Sequence, residues 1–486
     1  MQTEKQLKYI PFILIIFLIP FLEFLKTNVA EIDIILGKSF FFLIFVLFFI
    51  LLLLTYLAKF FIKKVEFITL FLIVVIGYWL FFKHNSLKLL ISSFFDNFSL
   101  NGVEYSSEIS LLILIILSIY VSILIYKKNQ FFKKFIIIFF SLTFCLHLFQ
   151  IVNFKEDLDV AKSDKKININ FPDKQKNKKE NIYFFILDAM QPIKEFEKYY
   201  ELDQKYFINY VNSKSYRYIH NTLNTYDNTT HSLSAFFYLD KIFDKEKKLK
   251  DKTKVLFPSL LRINNKSDLI NNLDNLGYDF KWLGNFFAYC PKFNLTYCLN
   301  KDKNTIIDTY LYINFFRQTP LIQTIINFGF IFDFDFNKYF FYKLNDGMGR
   351  LTEYLKDNKI DNQPTFYFIH HMSPHWPYIT NKDCSYKSYP GNKNLEGYKS
   401  AYLCTLKKIQ QTINFLNKFD PDSTVVFQSD HNWIMSKNQD EKRSIFNLIK
   451  INQNCKVEEG IMLNNVNTLR LIFSCMTGNN PEYIVD

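Results

Sequence analysis

Glycine is scarce in this chain, 12 of 486 residues, and proline hardly less so at 13. A collagen-like repeat, which needs glycine at every third position, is therefore excluded. Neither a glycine-rich nucleotide-binding loop nor a long internal repeat occurs. The seven cysteines include no CxxC or CxxH spacing, which argues against a zinc knuckle. Disorder is excluded too, because aromatic residues make up 19% of the chain. Net hydropathy is also lacking, since the mean is -0.00. That zero averages two unlike parts. Residues 9 to 153 are dominated by Phe, Ile and Leu, and the remainder by Lys, Asn, Asp and Tyr.

Five apolar runs, 9–26, 39–61, 66–82, 109–126 and 135–153, approach the ~20 residues of helix that a bilayer core requires. The first lacks a small-residue cleavage pattern and is followed by four more, so it reads as a span rather than a signal peptide. Lys5 and Lys8 precede the first run. Lys59, Lys63 and Lys64 lie between the second and third, and Lys127, Lys128, Lys133 and Lys134 between the fourth and fifth. The other connections carry Glu31, Asp33, Asp96, Glu104 and Glu108. Positive charge marks the cytoplasmic side, which puts the N-terminus inside and everything after the fifth span outside. The expected organisation is an anchor over 1–154, a charged linker over 155–180 and a domain over 181–486. Much of the net charge of +12 belongs to the helix flanks and this linker. No basic patch interleaved with aromatics marks a nucleic-acid partner.

Cysteine usage gives an independent vote on compartment. Cys145 falls inside the fifth run and reads as a small apolar side chain. The other six, Cys290, Cys298, Cys384, Cys404, Cys455 and Cys475, all lie in the part placed outside. An even number there suits an oxidising compartment. Six cysteines allow 15 connectivities, among which proximity favours the sequential pairs.

The domain reads as α/β. Short apolar runs at Ile182–Leu187, Tyr278–Leu283, Thr365–His370, Thr424–Gln428 and Ile445–Ile451 look like buried parallel strands. Helical patterns over 193–212 and 398–419 separate some of them; in the latter, Tyr402, Leu406, Ile409, Ile413 and Leu416 repeat at helical spacing. In such sheets chemistry gathers beyond the carboxyl ends of the strands.

Those ends carry Asp188, the sequence His370-His371 followed by His375, and Ser429-Asp430-His431. Two carboxylates and an imidazole on neighbouring strands can converge on one divalent cation. Each has an ordinary reading as well, a helix-capping Asp or a His satisfied by backbone. Thr229 and Thr230 precede the apolar run Leu233–Leu239, where they can cap a helix or offer a nucleophile at its N-terminus. Trp376 and Trp433 adjoin the two His motifs and suit either packing or stacking on a sugar.

Taken in order, Asp188 after a strand, Thr229-x-x-Ser232 before a helix, His375-x-Pro377-Tyr378 and Ser429-Asp430-His431 resemble the sulfatase-like part of the alkaline phosphatase superfamily. With five helices ahead of an outward domain, the chain is similar to bacterial phosphoethanolamine and phosphoglycerol transferases. The resemblance implies five transmembrane helices and an α/β domain of mostly parallel sheet. It implies one divalent cation, zinc or manganese, held by Asp188, Thr229, Asp430 and His431. Thr229 would be the nucleophile, with Thr230 one alignment step away. His375 would contact the substrate phosphate, with His370, Lys442 and Arg443 as further substrate contacts. The pattern also departs from its relatives. Thr229-Thr230-His231-Ser232-Leu233 lacks the Pro and Arg of the sulfatase motif, so sulfate-ester hydrolysis is disfavoured. Asn432 stands where Gly is usual, and no His follows His431 to complete a second metal site.

The implied reaction moves a phospholipid head group to an envelope glycan or lipid through a phospho-threonine. The implied location is the bacterial inner membrane, multi-pass, with the catalytic domain in the periplasm, and the expected state is a monomer. A phosphodiesterase using water as acceptor is the first alternative, and a non-catalytic glycan- or lipid-binding member the second. A transporter fits least, since Glu23 and His147 are the main ionisable residues well inside the runs.

Overall fold

The computed structural model describes residues 9–29, 36–94, 99–100, 103–104, 106–127, 130–161, 180–243, 255–261, 267–285, 287, 298–299, 312, 314–316, 318–321, 338, 342–358, 363–387, 395–433, 439–451 and 461–484. The chain forms two compact units, Met1–Val160 with Asn304–Phe334, and Ala161–Lys303 with Asp335–Asp486.

The first unit is helical: α1 (Ile10–Thr27), α2 (Lys38–Phe61), α3 (Phe67–Phe81), α4 (His84–Phe94), a two-residue hairpin β1 (Ser99–Leu100) and β2 (Val103–Glu104), α5 (Ser106–Tyr126) and α6 (Gln130–Ala161). Among the described residues, four helices are long and apolar enough to cross a membrane; α3 and α4, bent by 43° at their junction, make a fifth if counted as one span. The third expected run is thus a 15-residue helix, too short alone for a bilayer core, continued at an angle. At the break, Lys83 is paired with Glu23 of α1, and His147 of α6 lies 3.4 Å from the same carboxylate oxygen. The expected linker begins as helix, because α6 runs on to Ala161; residues 162–179 lie outside the described residues. A stretch expected within the 181–486 domain returns to this unit. Phe315, 1% exposed, stacks on Phe21 and packs against Phe24 and Phe82.

The second unit is built on β3 (Ile182–Leu187), α7 (Ile193–Tyr200), α8 (Lys205–Ser213), β4 (Arg217–Tyr218), α9 (Thr229–Tyr238), α10 (Asp268–Asn275), β5 (Asp279–Leu283), α11 (Gly347–Asp357), β6 (Thr365–His371), α12 (Leu395–Phe419), β7 (Thr424–Ser429), α13 (Gln439–Arg443), β8 (Asn447–Lys450) and α14 (Asn465–Thr477). The six-stranded sheet runs β4-β8-β7-β3-β6-β5. Pairs β7-β3, β3-β6 and β6-β5 are parallel, whereas β8 is antiparallel to β7 and to β4. The run at 445–451, read as a parallel strand, is therefore corrected to an antiparallel one. An apolar run reports burial on both faces but carries no information about direction. The helix expected over 193–212 is two, parted where Glu201 turns left-handed at φ 52°.

Every residue of β3 is buried, as a central strand covered on both faces must be. On one face Phe184 and Phe368 meet Phe236 and Phe237 of α9, and Phe366 stacks beside Phe184. On the other, Tyr183, Phe185, Leu187, Tyr367 and Ile369 join a core with Tyr398, Tyr402, Ile409 and Ile413 of α12. Side chains alternate along a strand, so His370 takes the α9 face and His371 the α12 face.

Candidate metal centre and nucleophile

The register fixes the centre. Leu187 pairs with His371 on one side and Ser429 on the other, so Asp188 and Asp430 both stand one step beyond the carboxyl edge. The Asp188 backbone N–H donates to His371 O at 3.0 Å, which continues the ladder for that extra step. Asp430 Oδ1 accepts from the N–H groups of Ala189 at 3.1 Å and His431 at 2.9 Å. Ala189 holds the left-handed region at φ 57°, a strained setting for a non-glycine residue that aims its N–H at Asp430. Tyr398 locks this turn from α12, donating to Ala189 O at 2.9 Å and accepting from Gln191 N at 3.1 Å.

Helix α9 supplies the hydroxyl. Its N-cap is Asn228, whose side chain accepts from the His231 N–H, so the capping role open to Thr229 or Thr230 falls to neither. Thr229 is the first helical residue, and its Oγ1 lies 3.2 Å from His431 Nε2. The same nitrogen lies 3.6 Å from Asp188 Oδ1 and 3.7 Å from Asp430 Oδ2. Both of those carboxylate oxygens are buried without a hydrogen-bond partner among the described residues. Two such oxygens facing one imidazole and one hydroxyl are costly unless something positive lies between them. A tetrahedral zinc shell with bonds of about 2.0–2.2 Å has edges of roughly 3.3–3.6 Å, close to this spacing. The residues fit a divalent cation.

His431 is prepared for that role. Its Nδ1 donates to Asn432 O at 2.6 Å, leaving Nε2 as the lone-pair nitrogen toward the carboxylates. Asn432 is itself fixed, its amide donating to Glu195 Oε2 and Glu441 O. His370 is fully buried and holds Asp188 Oδ2 at 3.0 Å; with Asp188 and Asp430 it forms a compact group of metal-ligating type. His370, for which a substrate contact was expected, is wholly buried and turned to Asp188.

Burial by itself raises the Asp188 carboxyl, but His375, His370 and His431 outweigh it and hold it well below the usual carboxylate range. Burial raises Asp430, and the Asp188 charge adds to that against the pull of His431. Burial lowers the His431 imidazole, yet Asp430 and Asp188 together lift it above its ordinary 6.5. Both shifts favour binding of a proton at Asp430 and His431 when no cation is present.

Among the other expected site residues, His375 follows β6 on a loop, its Nδ1 within 2.5 Å of Trp376 O. Arg443 on α13 donates from Nε to Asn224 O at 2.6 Å, and Asn224 donates to Asp430 O at 2.5 Å. Arg443 is thus a support of the Asp430 turn. Its neighbour Lys442 contributes its backbone carbonyl to Asn432 N at 3.0 Å. Trp433 is packing, stacked on Tyr398 and donating to Tyr378 OH. Cys384 and Cys404 form a disulfide with Cα atoms 5.0 Å apart. Cys298 and Cys475 are each disulfide-bonded, while Cys290 and Cys455 lie outside the described residues. Cys145 is a free thiol. Sequence reasoning missed Ala189, Asn224 and Tyr398, for which nothing short of the register gives a signal.

No family model matches the chain, and no curated protein does. Solved structures do. The periplasmic domain of EptC from Escherichia coli, in complex with zinc, matches at 14% identity over 64% of this chain and 85% of that one, TM-score 0.39. The periplasmic domain of the phosphoethanolamine transferase EptC from Campylobacter jejuni gives 13%, 62% and 89%, TM-score 0.35. The integral membrane lipooligosaccharide phosphoethanolamine transferase EptA from Neisseria meningitidis gives 13%, 72% and 64%, TM-score 0.36. The latter two are phosphoethanolamine transferases. With identities this low, the chemistry of the site rests on the sheet order and the cluster geometry.

Proposed function

We propose that this chain is a membrane-anchored, metal-dependent transferase that moves a phospholipid head group to an envelope glycan or lipid, with Thr229 as nucleophile. The observation that carries the reading is the Thr229 hydroxyl, at a helix N-terminus, 3.2 Å from His431 Nε2. It stands beside two carboxylates with orphaned oxygens. Asp188, Asp430, His431 and Thr229 would hold the cation, with His370 orienting Asp188 from behind. When bound, a zinc or manganese ion supplies Lewis-acid activation of the hydroxyl and offsets developing negative charge.

Thr229 Oγ1 gives up its proton and attacks phosphorus. The bond to the diacylglycerol oxygen breaks, and that oxygen takes up a proton. The α9 N-terminus, with its free N–H groups, favours the phosphoryl group then carried on Thr229. His375, at the rim, would meet the phosphoryl oxygens. An acceptor hydroxyl attacks the same phosphorus, loses its proton and frees Thr229. The apolar helices keep the site at a membrane where the donor is concentrated, here the inner membrane of a bacterium with the catalytic unit in the periplasm.

Incubation of purified protein with labelled phospholipid tests this directly. Mass spectrometry should find a phosphorylated head group on Thr229 and diacylglycerol in solution. Label on another residue, or none, overturns the assignment. Release of the head group as free phosphate ester in place of transfer would move the reading to a phosphodiesterase.

A further inference from the structure

The turn that carries Asp188 and the turn that carries Asp430 and His431 are joined again outside the cluster, by a pair of residues the transfer chemistry does not use. The first turn leads through Pro192 into α7, and Glu195 stands in the first turn of that helix. Helix α7 is itself held firmly. Phe196, fully buried, stacks on Tyr402 with ring centroids 3.9 Å apart, and Ile193 N donates to Tyr218 OH at 2.9 Å. The second turn follows β7, and its third residue, Asn432, donates from Nδ2 to Glu195 Oε2.

Asn432 is also the residue whose carbonyl takes the His431 Nδ1–H at 2.6 Å, so the aim of that carbonyl sets the aim of the ring. Its buried amide is fully engaged. The two Nδ2 protons go to Glu195 Oε2 and to Glu441 O at 2.6 Å, and Oδ1 accepts from Trp433 N at 2.6 Å. The glycine usual at this position in the family resembled would offer none of these anchors and a freer backbone. Nor does the position demand glycine, since Asn432 is not among the residues with positive φ. Glu441 and Trp433 belong to the stretch that follows β7, whereas Glu195 belongs to the one that follows Asp188. Of the three partners, only Glu195 therefore ties one ligand-bearing turn to the other. We propose that Glu195 is a positioning residue for the metal centre, fixing through Asn432 the aim of His431 and its setting against Asp188. This inference rests on the cation of the proposed function.

Calorimetric titration of the full chain in detergent with zinc tests it, read beside ring-nitrogen NMR of labelled histidine. Glu195→Ala and Asn432→Gly should each weaken zinc binding at least about tenfold, the scale on which a ligating histidine feels the loss of its hydrogen-bonded support. The double variant should lie within about threefold of the weaker single one, because both act through one contact. Glu195→Gln keeps an oxygen for Asn432 Nδ2 and should stay within about threefold of the unaltered chain. The His431 Nδ1 proton, assigned by its loss in His431→Gln, should exchange with water at least about tenfold faster in Glu195→Ala. Should Glu195→Ala not fold, Glu195→Asp keeps the charge but falls one methylene short, and should weaken zinc binding likewise. Unchanged zinc affinity, an equal loss in Glu195→Gln, or effects that multiply in the double variant overturn the inference. A lower melting temperature with affinity intact overturns it too. Failure of the unaltered chain to bind zinc counts against the metal reading instead. In that case proton exchange at His431 decides: faster in Glu195→Ala and restored in Glu195→Gln upholds the positioning, and unchanged exchange overturns it.

Discussion

The Thr229 hydroxyl and His431 Nε2 lie 3.2 Å apart although 202 residues separate them in sequence. Two local devices bring them together: the Asn228 cap that starts α9 one residue before Thr229, and the Nδ1 bond to Asn432 O that turns Nε2 inward.

Thr229→Ala should lower head-group transfer by at least about 10³-fold, the scale on which loss of a nucleophile is felt. Thr230→Ala should change it less than about threefold, because the Ser234 hydroxyl bonds the Thr230 backbone carbonyl, which alanine retains. Rates of diacylglycerol release from the two variants separate the adjacent threonines.

Metal affinity should rise with pH. His431 is lifted above its ordinary 6.5 in the absence of a cation, and only the neutral imidazole ligates. Below the raised value the cation must displace a proton, so affinity should fall about tenfold per pH unit there and level off above it. Calorimetric titration with zinc across pH 5.5 to about 8.5 measures this. An affinity that increases on acidification would contradict the ligand set.

Tyr398→Phe should cost about 1–2 kcal/mol of stability, since the Gln191 N–H and Ala189 O both lose a buried partner. It should also weaken metal binding, by loosening the turn that aims Ala189 N at Asp430. Thermal unfolding with and without zinc reports both effects, and a variant with lower stability but unchanged metal affinity would make the clamp structural only.

Reduction of Cys384–Cys404, or its replacement by Ala at both positions, should destabilise the second unit by about 2–4 kcal/mol. The bridge ties Cys404 within α12 to Cys384, 20 residues earlier, next to Tyr386, which bridges back to Thr380. Melting curves in oxidising and reducing buffer check it.

Glu23→Gln should destabilise the helical unit by about 2–3 kcal/mol, because it strands Lys83 among apolar helices. Glu23→Gln with Lys83→Met should recover most of that loss. Thermal melts of the two variants in one detergent decide whether the pair acts as a unit.

Much of this centre could be read before any coordinates. The uninterrupted IYFFIL of β3 announces a strand buried on both faces, and Asp188 ends it as Asp430 ends β7. What pattern alone could not supply was pairing. Direction is set by the connection and not by composition, hence the misread β8. His370 and His371 look alike in sequence, and only their alternation across β6 sends one to the candidate metal centre and the other to a separate cavity. The bend after α3 was hidden because hydropathy windows measure greasiness, not straightness.

The return of Asn304–Phe334 to the helical unit bears on how the chain can be cut. A fragment beginning at residue 181 would look like a clean soluble half, yet it would carry Phe315 away from Phe21, Phe24 and Phe82. That ring, now 1% exposed, would be left in water and would favour aggregation. Removing 304–334 as well, and bridging the gap with a short flexible linker, is the division the fold itself prescribes.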